Sequence, residues 1–460
     1  MGKSVQDNNR LYNFLSPLVQ FGTRCHYQRF DVHGLDHLPT DGAYIVAPCH
    51  QQALMEPLAV LNFVPKPPVF LARADIFNNK VVRTLLTFLK ILPVYRIRDG
   101  KDNLSKNTDI FDKSRDVLLD GFPLCLMAEG RHNDKHHLLP LAKGMFRIAG
   151  ETQLRLGEHP LYIVPTGIDF DDYELPYSNL VVNIGEPIPV KPFMETYMQN
   201  EPLALNQMRD TLADALRAQM HDIKSLDHYD DVLTVCHVAN PLFRQRNSLE
   251  DTAWNRFRMR CRLAGRMDEM ESAGDSRFST IADAAAQLRV VCSSLHLKPR
   301  DVAEHWNGML TAVYFAAFIG LVLATIFSPW VRYFLFFVLV CYPVPFIPTH
   351  LVTKHLVKDS QFRSSFNFGI RFFFSIIYAI AIGIVMACCG GAWMAQVADI
   401  GAWWGLIAVG VVHVMAIAAG PLVSSLRGLA FNVRYWLLRI FRRNDMRQID
   451  ALIDTIGNNL

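Results

Sequence analysis

The sequence predicts an α/β domain with helices packed on a mixed sheet, followed by a helical connector and an all-α transmembrane domain. Residues 1–225 alternate short β-rich runs with helical patterns, which is typical of helices that cover a sheet. Residues 226–305 are charged and helix-prone, and they lack the turn clusters that mark a further sheet. Residues 306–426 hold long uncharged runs that predict about four membrane segments, and residues 427–460 form an amphipathic cytoplasmic tail.

Composition excludes two classes of protein. Apolar residues make up 51% of the 460 residues and charged residues 19%, so a predominantly disordered chain is excluded. The formal net charge is only +3, which gives no basic footprint for binding a nucleic acid.

The nine cysteines include no C-x-x-C pair, which favours reduced thiols and a cytosolic face. The first ten residues are polar, so a signal peptide is not expected.

The predicted α/β domain follows from short runs rich in β-branched and aromatic residues, separated by helical patterns. The predicted strands are Ala43–Ala47, Pro68–Ala72, Leu124–Ala128, Tyr162–Thr166 and Leu180–Ile184. The predicted helices are Ile76–Leu89, Leu104–Asp120, Phe146–Leu156 and an amphipathic helix over 203–222.

The C-terminal half carries the excess of apolar residues. Four runs contain no charged residue, namely Met309–Trp330, Tyr333–Thr353, Phe372–Ala398 and Ile400–Leu426. A spanning helix needs about 20 apolar residues. Three prolines interrupt the second run, which leaves a broken or re-entrant segment as an alternative for residues 333–353. Buried core helices of a soluble domain are the alternative for the whole region.

Flanking charge predicts the orientation of these segments. Basic residues concentrate in loop 354–371 and in the tail, whereas the other two connections hold only Arg332 and Asp399. The positive-inside rule therefore places the loop, the N-terminal domain and both termini in the cytoplasm. We expect an integral protein of the inner (cytoplasmic) membrane.

A histidine and a glutamate follow the first predicted strand. His50 comes directly after Ala43-Tyr44-Ile45-Val46-Ala47-Pro48-Cys49, and Glu56 lies six positions further on. A turn followed by a helix would return the carboxylate to the imidazole. A His held by a carboxylate is suited to act as a general base. The alternative is an ordinary structural His–Glu pair.

A polar loop follows the predicted strand Leu124–Ala128. It opens with Glu129, Gly130, Arg131 and His132, and it ends with Lys143 before a helix that begins near Gly144. Polar loops at the carboxyl ends of strands are where open α/β sheets bind ligands. Basic side chains and helix N-terminal amides at such a loop suit a phosphate. A solvated surface loop is the alternative.

Two further patterns bear on ligands. His132, Asp134, His136 and His137 crowd six positions, but no HExxH spacing or matching cysteine set supports a metal site, and none is predicted. Arg96 and Arg98 alternate in Leu92-Pro93-Val94-Tyr95-Arg96-Ile97-Arg98, so on a strand both would share one face and suit an anionic substrate. An exposed edge strand is the alternative.

Taken in order, these motifs resemble the four blocks of the glycerolipid acyltransferases, the lysophosphatidic acid and glycerol-3-phosphate acyltransferases. Cys49-His50, five residues and Glu56 match the family's Asn-His, four residues, Asp; one branch also has five intervening residues. The resemblance covers roughly residues 10–225 and leaves out the C-terminal half. The other matching blocks are Val94-Tyr95-Arg96, then Glu129-Gly130-Arg131-His132 leading into Leu138-Leu139-Pro140-Leu141-Ala142-Lys143-Gly144, and Val164-Pro165-Thr166.

Three departures from the family pattern matter for the site. Glu56 replaces an Asp and adds one methylene. Arg131 stands at the usual Thr position and His132 at the usual Arg position, which implies that phosphate binding falls to Arg131.

The resemblance implies acyl transfer from a thioester, acyl-CoA or acyl carrier protein, to glycerol-3-phosphate or 1-acylglycerol-3-phosphate in phospholipid synthesis. His50 is the implied base and Glu56 its partner, while Glu129 and Gly130 shape the acceptor site. Arg96, Arg131 and Lys143 bind the acceptor phosphate. No cofactor beyond the acyl donor is expected, and the expected partners are membrane lipids.

Three other interpretations stay open at this point. The apolar segments suit a lipid transport or translocation protein with a regulatory acyltransferase-like domain, although their only ionisable groups of note are His350 and His413. The domain also suits acyl transfer to a different lipid acceptor. The third interpretation is a metal-dependent phosphohydrolase built on the histidine-rich loop.

Overall fold

The structure is a computed structural model that describes residues 5–7, 9–95, 107–173, 177–303, 308–327, 346–355, 357, 360–385, 425 and 427–460. These residues form two compact units. The first takes the described residues of Met1–Arg24, Arg29–Tyr173 and Asn179–Asp222. The second takes those of Cys25–Gln28, Glu174–Ser178 and Ile223–Leu460. The domain boundaries expected from the sequence stay a prediction.

The first unit is built on a single sheet of eight strands. The strands are β1 (Arg29–His33), β2 (Ala43–Pro48), β3 (Val69–Arg73), β4 (Ile91–Val94), β5 (Leu124–Cys125), β6 (Leu161–Phe170), β7 (Asn179–Ile184) and β8 (Ile188–Pro189). The helices up to the end of this unit are α1 (Arg10–His26), α2 (Met55–Phe63), α3 (Lys80–Phe88), α4 (Asn107–Leu119), α5 (Gly144–Leu156), α6 (Met194–Gln199) and α7 (Glu201–Gln219).

The sheet is mixed, as the sequence predicts. Its order is β1-β7-β6-β2-β5-β3-β4, with β8 paired to β6 outside this path. β2 runs parallel to β5 and β6, β3 runs parallel to β4 and β5, and β1 runs parallel to β7. Only β7 and β8 run antiparallel to β6. The α/β fold expected for this part of the chain is therefore confirmed.

The central strand β2 shows why these residues form the middle of the sheet. Ile45, Val46 and Ala47 are fully buried, which is typical of a parallel strand covered on both faces. Its neighbour β6 contributes Ile163 and Val164, also buried. In register, Val46 lies opposite Val164 on one side and Cys125 on the other. The carboxyl ends of β2 and β5 consequently meet at one edge, where the two candidate motifs begin.

Several element bounds differ from the prediction. β5 ends at Cys125 instead of Ala128, because the chain turns away: the Gly130 N–H donates to the Met127 carbonyl at 3.0 Å. β6 continues to Phe170, four residues beyond the predicted end, where it pairs with β7. The predicted helix Ile76–Leu89 is a 3-10 turn (Ala74–Phe77) followed by α3, since the Asn79 side chain caps a new helix start.

The second unit contains a helical core that local patterns do not show. Its helices include α8 (Tyr229–Val238), α9 (Asn240–Arg246), α10 (Ala253–Ser272), α11 (Ser276–Ser294), α12 (Pro299–Ala303), α13 (Gly308–Phe327), α14 (Phe346–His355), α15 (Ser360–Val385), the helical residues 427–441 and α16 (Arg443–Asn459). Val235, Met267 and Leu288 from the expected connector pack with Ile449 and Ile456 from the expected tail. Connector and tail thus share one buried cluster.

The predicted all-α transmembrane domain is not supported by the part of the chain that the structure describes. Within that part, no helix combines the length and the apolar character needed to cross a bilayer. α15 begins inside the predicted loop 354–371 and includes Arg363 and Arg371. Most of the runs Tyr333–Thr353 and Ile400–Leu426 lies outside the described residues.

Candidate active site

The candidate base, His50, lies two residues beyond the last residue of β2. A turn of residues 49–54 follows the strand, and α2 begins at Met55, so that Glu56 stands in the first helical turn. His50 Nδ1 lies 3.7 Å from Glu56 Oε2, with the two side chains 14% and 0% exposed. The sequence-predicted pair is therefore brought together by a strand–turn–helix.

The Glu56 carboxylate also fixes the turn that carries His50. Its Oε1 atom accepts the backbone N–H of Gln51 at 2.9 Å and the backbone N–H of Gln52 in a shorter hydrogen bond. A buried carboxylate is tolerated when donors satisfy it, and here two backbone amides do so. The arrangement leaves Oε2 as the oxygen nearest to the imidazole. In unliganded sites, catalytic contacts of this kind are often long and tighten when substrate binds.

Glu129 connects the two candidate motifs. Its Oε1 atom accepts the His50 backbone N–H at 2.8 Å, and its Oε2 atom accepts the Leu139 backbone N–H at 3.0 Å. The Asn133 N–H donates to the His50 carbonyl at 3.0 Å and adds a second bridge. The resemblance implies a substrate-binding Glu129. In the structure both of its oxygens accept backbone amides, which holds the His50 turn against the loop, and its role in substrate binding stays a prediction.

Burial governs the acidity of Glu129. Desolvation raises the pKa of this carboxyl to about 7, while its two N–H donors and the nearby His50 oppose the shift. The neighbouring Glu56 carboxylate adds to the rise. Glu129 therefore changes its charge near neutral pH, and the same carboxyl group accepts the His50 backbone N–H.

The loop after Glu129 closes on itself. Gly130 has φ +64°, a backbone conformation that favours glycine. The Ala142 N–H donates to the Ala128 carbonyl at 2.7 Å, so the two ends of the loop lie side by side. Arg131 and Lys143 extend from these adjoining ends and both are exposed. Lys143 immediately precedes the 13-residue helix α5. Two exposed cations at the adjoining ends of this loop, one of them directly before a helix, fit an anionic ligand.

The other predicted residues are placed as follows. Arg96 and Arg98 both lie outside the described residues, which stop at Tyr95 in this part of the chain. His132, expected at the phosphate loop, packs edge-on against His50 with ring centroids 5.6 Å apart. His137 lies 3.8 Å from Asp222 through its Nδ1 atom. Among the residues described, the crowded histidine stretch thus does not converge on one point.

Cys49, beside the candidate base, is not suited to nucleophilic catalysis. Burial raises the pKa of its thiol well above the usual range, and the three nearby carboxylates add to the rise. Its sulfur accepts the Ile168 N–H at 3.2 Å, in the interior of the sheet. Since the thiolate is the reactive form of cysteine, this site lacks an available thiol nucleophile at Cys49.

Sequence reasoning missed two parts of this site. It did not find the role of the Gln51 and Gln52 amides, which have no side-chain signature. It also missed Tyr173, whose hydroxyl donates to Gln51 Oε1 at 2.7 Å, and whose carbonyl accepts the Gln52 side-chain amide at 3.1 Å. Tyr173 is more than 120 positions away in the chain, so only the folded sheet brings it to this turn.

Comparison with known proteins agrees with the expected family at a coarse level. Residues 29–169 match the protein-family model described as Acyltransferase. This segment runs from the start of β1 into β6 and includes His50, Glu56 and the loop from Glu129 to Lys143. No curated protein matches the chain.

A solved structure is also similar to this chain. It is the crystal structure of the 1-acyl-sn-glycerophosphate (LPA) acyltransferase PlsC from Thermotoga maritima. The sequence identity is 18%, the match covers 45% of this chain and 82% of that chain, and the TM-score is 0.32.

Proposed function

We propose that the acyltransferase domain at residues 29–169 moves a fatty acyl group from an acyl thioester to a hydroxyl of glycerol-3-phosphate or 1-acylglycerol-3-phosphate. The observation that carries the proposal is the His50–Glu56 pair. It consists of an imidazole that is 14% exposed, with a fully buried carboxylate 3.7 Å from its Nδ1 atom. This is the base-and-orienter arrangement that activates a hydroxyl for attack.

The mechanism needs no covalent acyl-enzyme. Glu56 favours the tautomer with a proton on His50 Nδ1, which leaves Nε2 as the basic atom. Nε2 removes the acceptor hydroxyl proton as the oxygen attacks the thioester carbonyl. When the tetrahedral intermediate collapses, the C–S bond breaks, and the imidazolium returns the proton to the departing thiolate. Glu56 stabilises the imidazolium between these steps.

Acceptor recognition is assigned to the exposed cations of the loop. Arg131 presents a planar guanidinium that can donate two parallel hydrogen bonds to a phosphate, and Lys143 adds a point charge. Both extend from the adjoining ends of the loop that follows Glu129 and Gly130. Arg96, from the sequence pattern, is the third cation of this proposal. The acyl donor is acyl-CoA or acyl carrier protein, and no further cofactor takes part in the transfer.

We also propose that the protein works at the cytoplasmic face of the inner membrane, with membrane lipids as partners. The uncharged C-terminal runs support this location. Large apolar side chains on the helices of the second unit are exposed as well, among them Phe327, Phe373 and Phe441 at 82%, 66% and 76%. Acyl chains and lysolipids partition into a bilayer, so an enzyme held there meets both substrates. Labelling of loop 354–371 from outside intact cells would contradict this orientation.

One experiment tests the function directly. The purified full-length chain is given labelled acyl-CoA or acyl carrier protein thioester and a panel of hydroxyl acceptors, and the products are read by mass. We expect a new ester on glycerol-3-phosphate or its 1-acyl product, and its loss in His50→Ala. Transfer to a different lipid would contradict the proposed acceptor but leave the proposed acyl-transfer reaction in place. Phosphate release that stops with a chelator would instead identify a phosphohydrolase.

A further inference from the structure

Three metal-ligating side chains converge in the interior of the first unit, apart from the His50–Glu56 pair. His136 belongs to the loop after Glu129, Asp169 to β6, and His221 to the segment after α7. Each offers one ligand atom, and these atoms all lie within 4.8 Å of one another. We infer that these three residues form a structural site for a divalent transition-metal ion of the zinc class.

One of the three distances between ligand atoms already fits a tetrahedral site. In such sites zinc lies about 2.0–2.2 Å from imidazole nitrogen and carboxylate oxygen, which places neighbouring ligand atoms about 3.4 Å apart. His136 Nδ1 and Asp169 Oδ1 are already 3.6 Å apart. The rings of His136 and His221 lie side by side, with centroids at 4.4 Å. Small side-chain rotations therefore bring all three atoms to ligand distance.

A fourth possible ligand atom, an oxygen, lies next to the three ligand atoms. The Tyr173 hydroxyl lies 3.1 Å from His136 Nδ1, and its proton is donated to Gln51. Its oxygen completes four-coordination, so all four ligands come from the protein.

The backbone is built to bring these segments together. Gly167, two residues before Asp169, faces the last residue of α7: a Cβ there would lie 1.9 Å from the Gln219 carbonyl oxygen. Only glycine allows this approach, and it places His221, two residues after Gln219, beside β6. On the loop side, the Leu138 N–H donates to Asp222 Oδ1 at 2.9 Å, which holds the loop against the same segment.

Burial favours a metal over a solvated polar cluster. His136, Asp169 and His221 are 6%, 2% and 1% exposed. Charged groups at such depth are paired or bind metals, and a carboxylate with two imidazoles is a donor set suited to zinc and related ions. Full enclosure is the mark of a structural site, since catalytic sites keep an open position. Histidines 132 and 137, the near neighbours of His136 in sequence, are not part of the site.

The site would hold the loop that carries the acceptor-binding residues. His136 belongs to this loop, and an ion would join it to β6 and to the end of α7. Through Tyr173 the same cluster reaches Gln51, whose backbone donates to Glu56. An ion at this place therefore stabilises the fold around the His50 turn without contacting the reacting atoms.

Metal content tests the inference independently of acyl transfer. The purified full-length chain, stripped with a chelator and returned to zinc, is expected to retain about one ion per chain after dialysis. Zinc at a hundredfold excess over its dissociation constant should raise the thermal midpoint by about 5 °C or more. Cobalt(II) in the same site should show the visible absorption of a tetrahedral complex.

Two variants and a control decide whether these three residues hold the ion. His221→Asn and Asp169→Asn should lose the bound ion and the zinc-dependent thermal shift. The control is His159→Asn, which removes an exposed histidine from the same unit and should keep both. Zinc retention in His221→Asn equal to that of the parent chain would overturn the site. So would a parent chain that retains no zinc, and this result stands even where the variants fail to fold. Acyl transfer bears only on the proposed function: a folded, zinc-bound chain without transfer would refute the proposed function and leave this site in place.

Discussion

Replacing Glu56 by glutamine separates the charge of this residue from its structural role. The side chain keeps its size, and the amide oxygen still accepts the backbone N–H groups of Gln51 and Gln52. The other end of the side chain becomes an amide NH₂ facing His50 Nδ1. Because the amide N–H and an Nδ1–H would face each other as two donors with no acceptor, His50 is driven to the tautomer in which Nδ1 accepts, and Nε2, which then carries the proton, cannot act as a base.

The magnitude follows from the 3.7 Å separation between His50 Nδ1 and Glu56 Oε2. At an effective dielectric constant of about 20, a carboxylate at this distance stabilises an imidazolium by about 4 kcal/mol. This energy corresponds to about a thousandfold in rate. Because the glutamine variant also holds His50 in the wrong tautomer, we expect turnover to fall by about 10⁴. Glu56→Asp withdraws the charge by about 1.5 Å, the length of one carbon–carbon bond, and should cost only about tenfold.

The assay is the rate of thiol release from an acyl thioester at saturating acceptor, measured beside the thermal midpoint. We expect the Glu56→Gln chain to lose turnover while its free energy of unfolding stays within about 2 kcal/mol of the parent. The matched control is Glu186→Gln. Glu186 also pairs with a histidine, lying 3.2 Å from His37 Nε2, but it is 85% exposed, so solvent screens the contact.

The control should keep full activity. A folded Glu56→Gln enzyme with turnover within threefold of the parent would refute the reasoning, because it would show that no imidazolium forms beside this carboxylate in the rate-limiting step.

Three further predictions concern the neighbouring residues. His50→Ala should lower turnover by about 10²–10⁴ without unfolding the chain, as circular dichroism would verify; near-normal turnover would remove His50 from the mechanism. Because the pKa of Glu129 rises from 4.5 to about 7 on folding, the folded chain keeps a proton that the unfolded chain releases, so stability should fall by roughly 3 kcal/mol between about pH 4.5 and 7. Urea midpoints of the parent should therefore decline with pH more steeply than those of Glu129→Gln, and parallel curves would contradict the assignment. Arg131→Ala should raise the KM for the acceptor about tenfold or more with little change for the donor, whereas His132→Ala should do less; steady-state kinetics with both substrates measure this, and an unchanged acceptor KM would exclude Arg131 as a ligand.

Local sequence determined the elements whose causes lie within a few residues. The run Ala43-Tyr44-Ile45-Val46-Ala47 has the composition of a buried strand, and it forms the central strand of the sheet. The six-residue step from His50 to Glu56 fits a turn and one helical turn, so the pair could be predicted without knowledge of the rest of the fold. The family motifs, which rest on spacing along the chain, agree with the match over residues 29–169.

Tertiary structure alone decided what depends on distant partners. Glu129 is acidic and lies in a ligand loop, which predicts substrate binding. It also holds the His50 turn, because β5 lies next to β2 and brings its carboxylate to the His50 amide. The same holds for the buried cluster of the second unit, where Ile449 packs with Met267 across a long stretch of chain.

The His136, Asp169 and His221 cluster shows the physical reason most directly. Hydrophobic periodicity and turn chemistry act over a few residues, and they specify strands, helices and their ends. Convergence of side chains depends on which strands become neighbours and on how closely two backbones approach. Here that approach is set by a glycine, Gly167, whose missing Cβ leaves room for the Gln219 carbonyl. The sequence contains this glycine, but only the folded sheet shows that the Gln219 carbonyl occupies the space beside it.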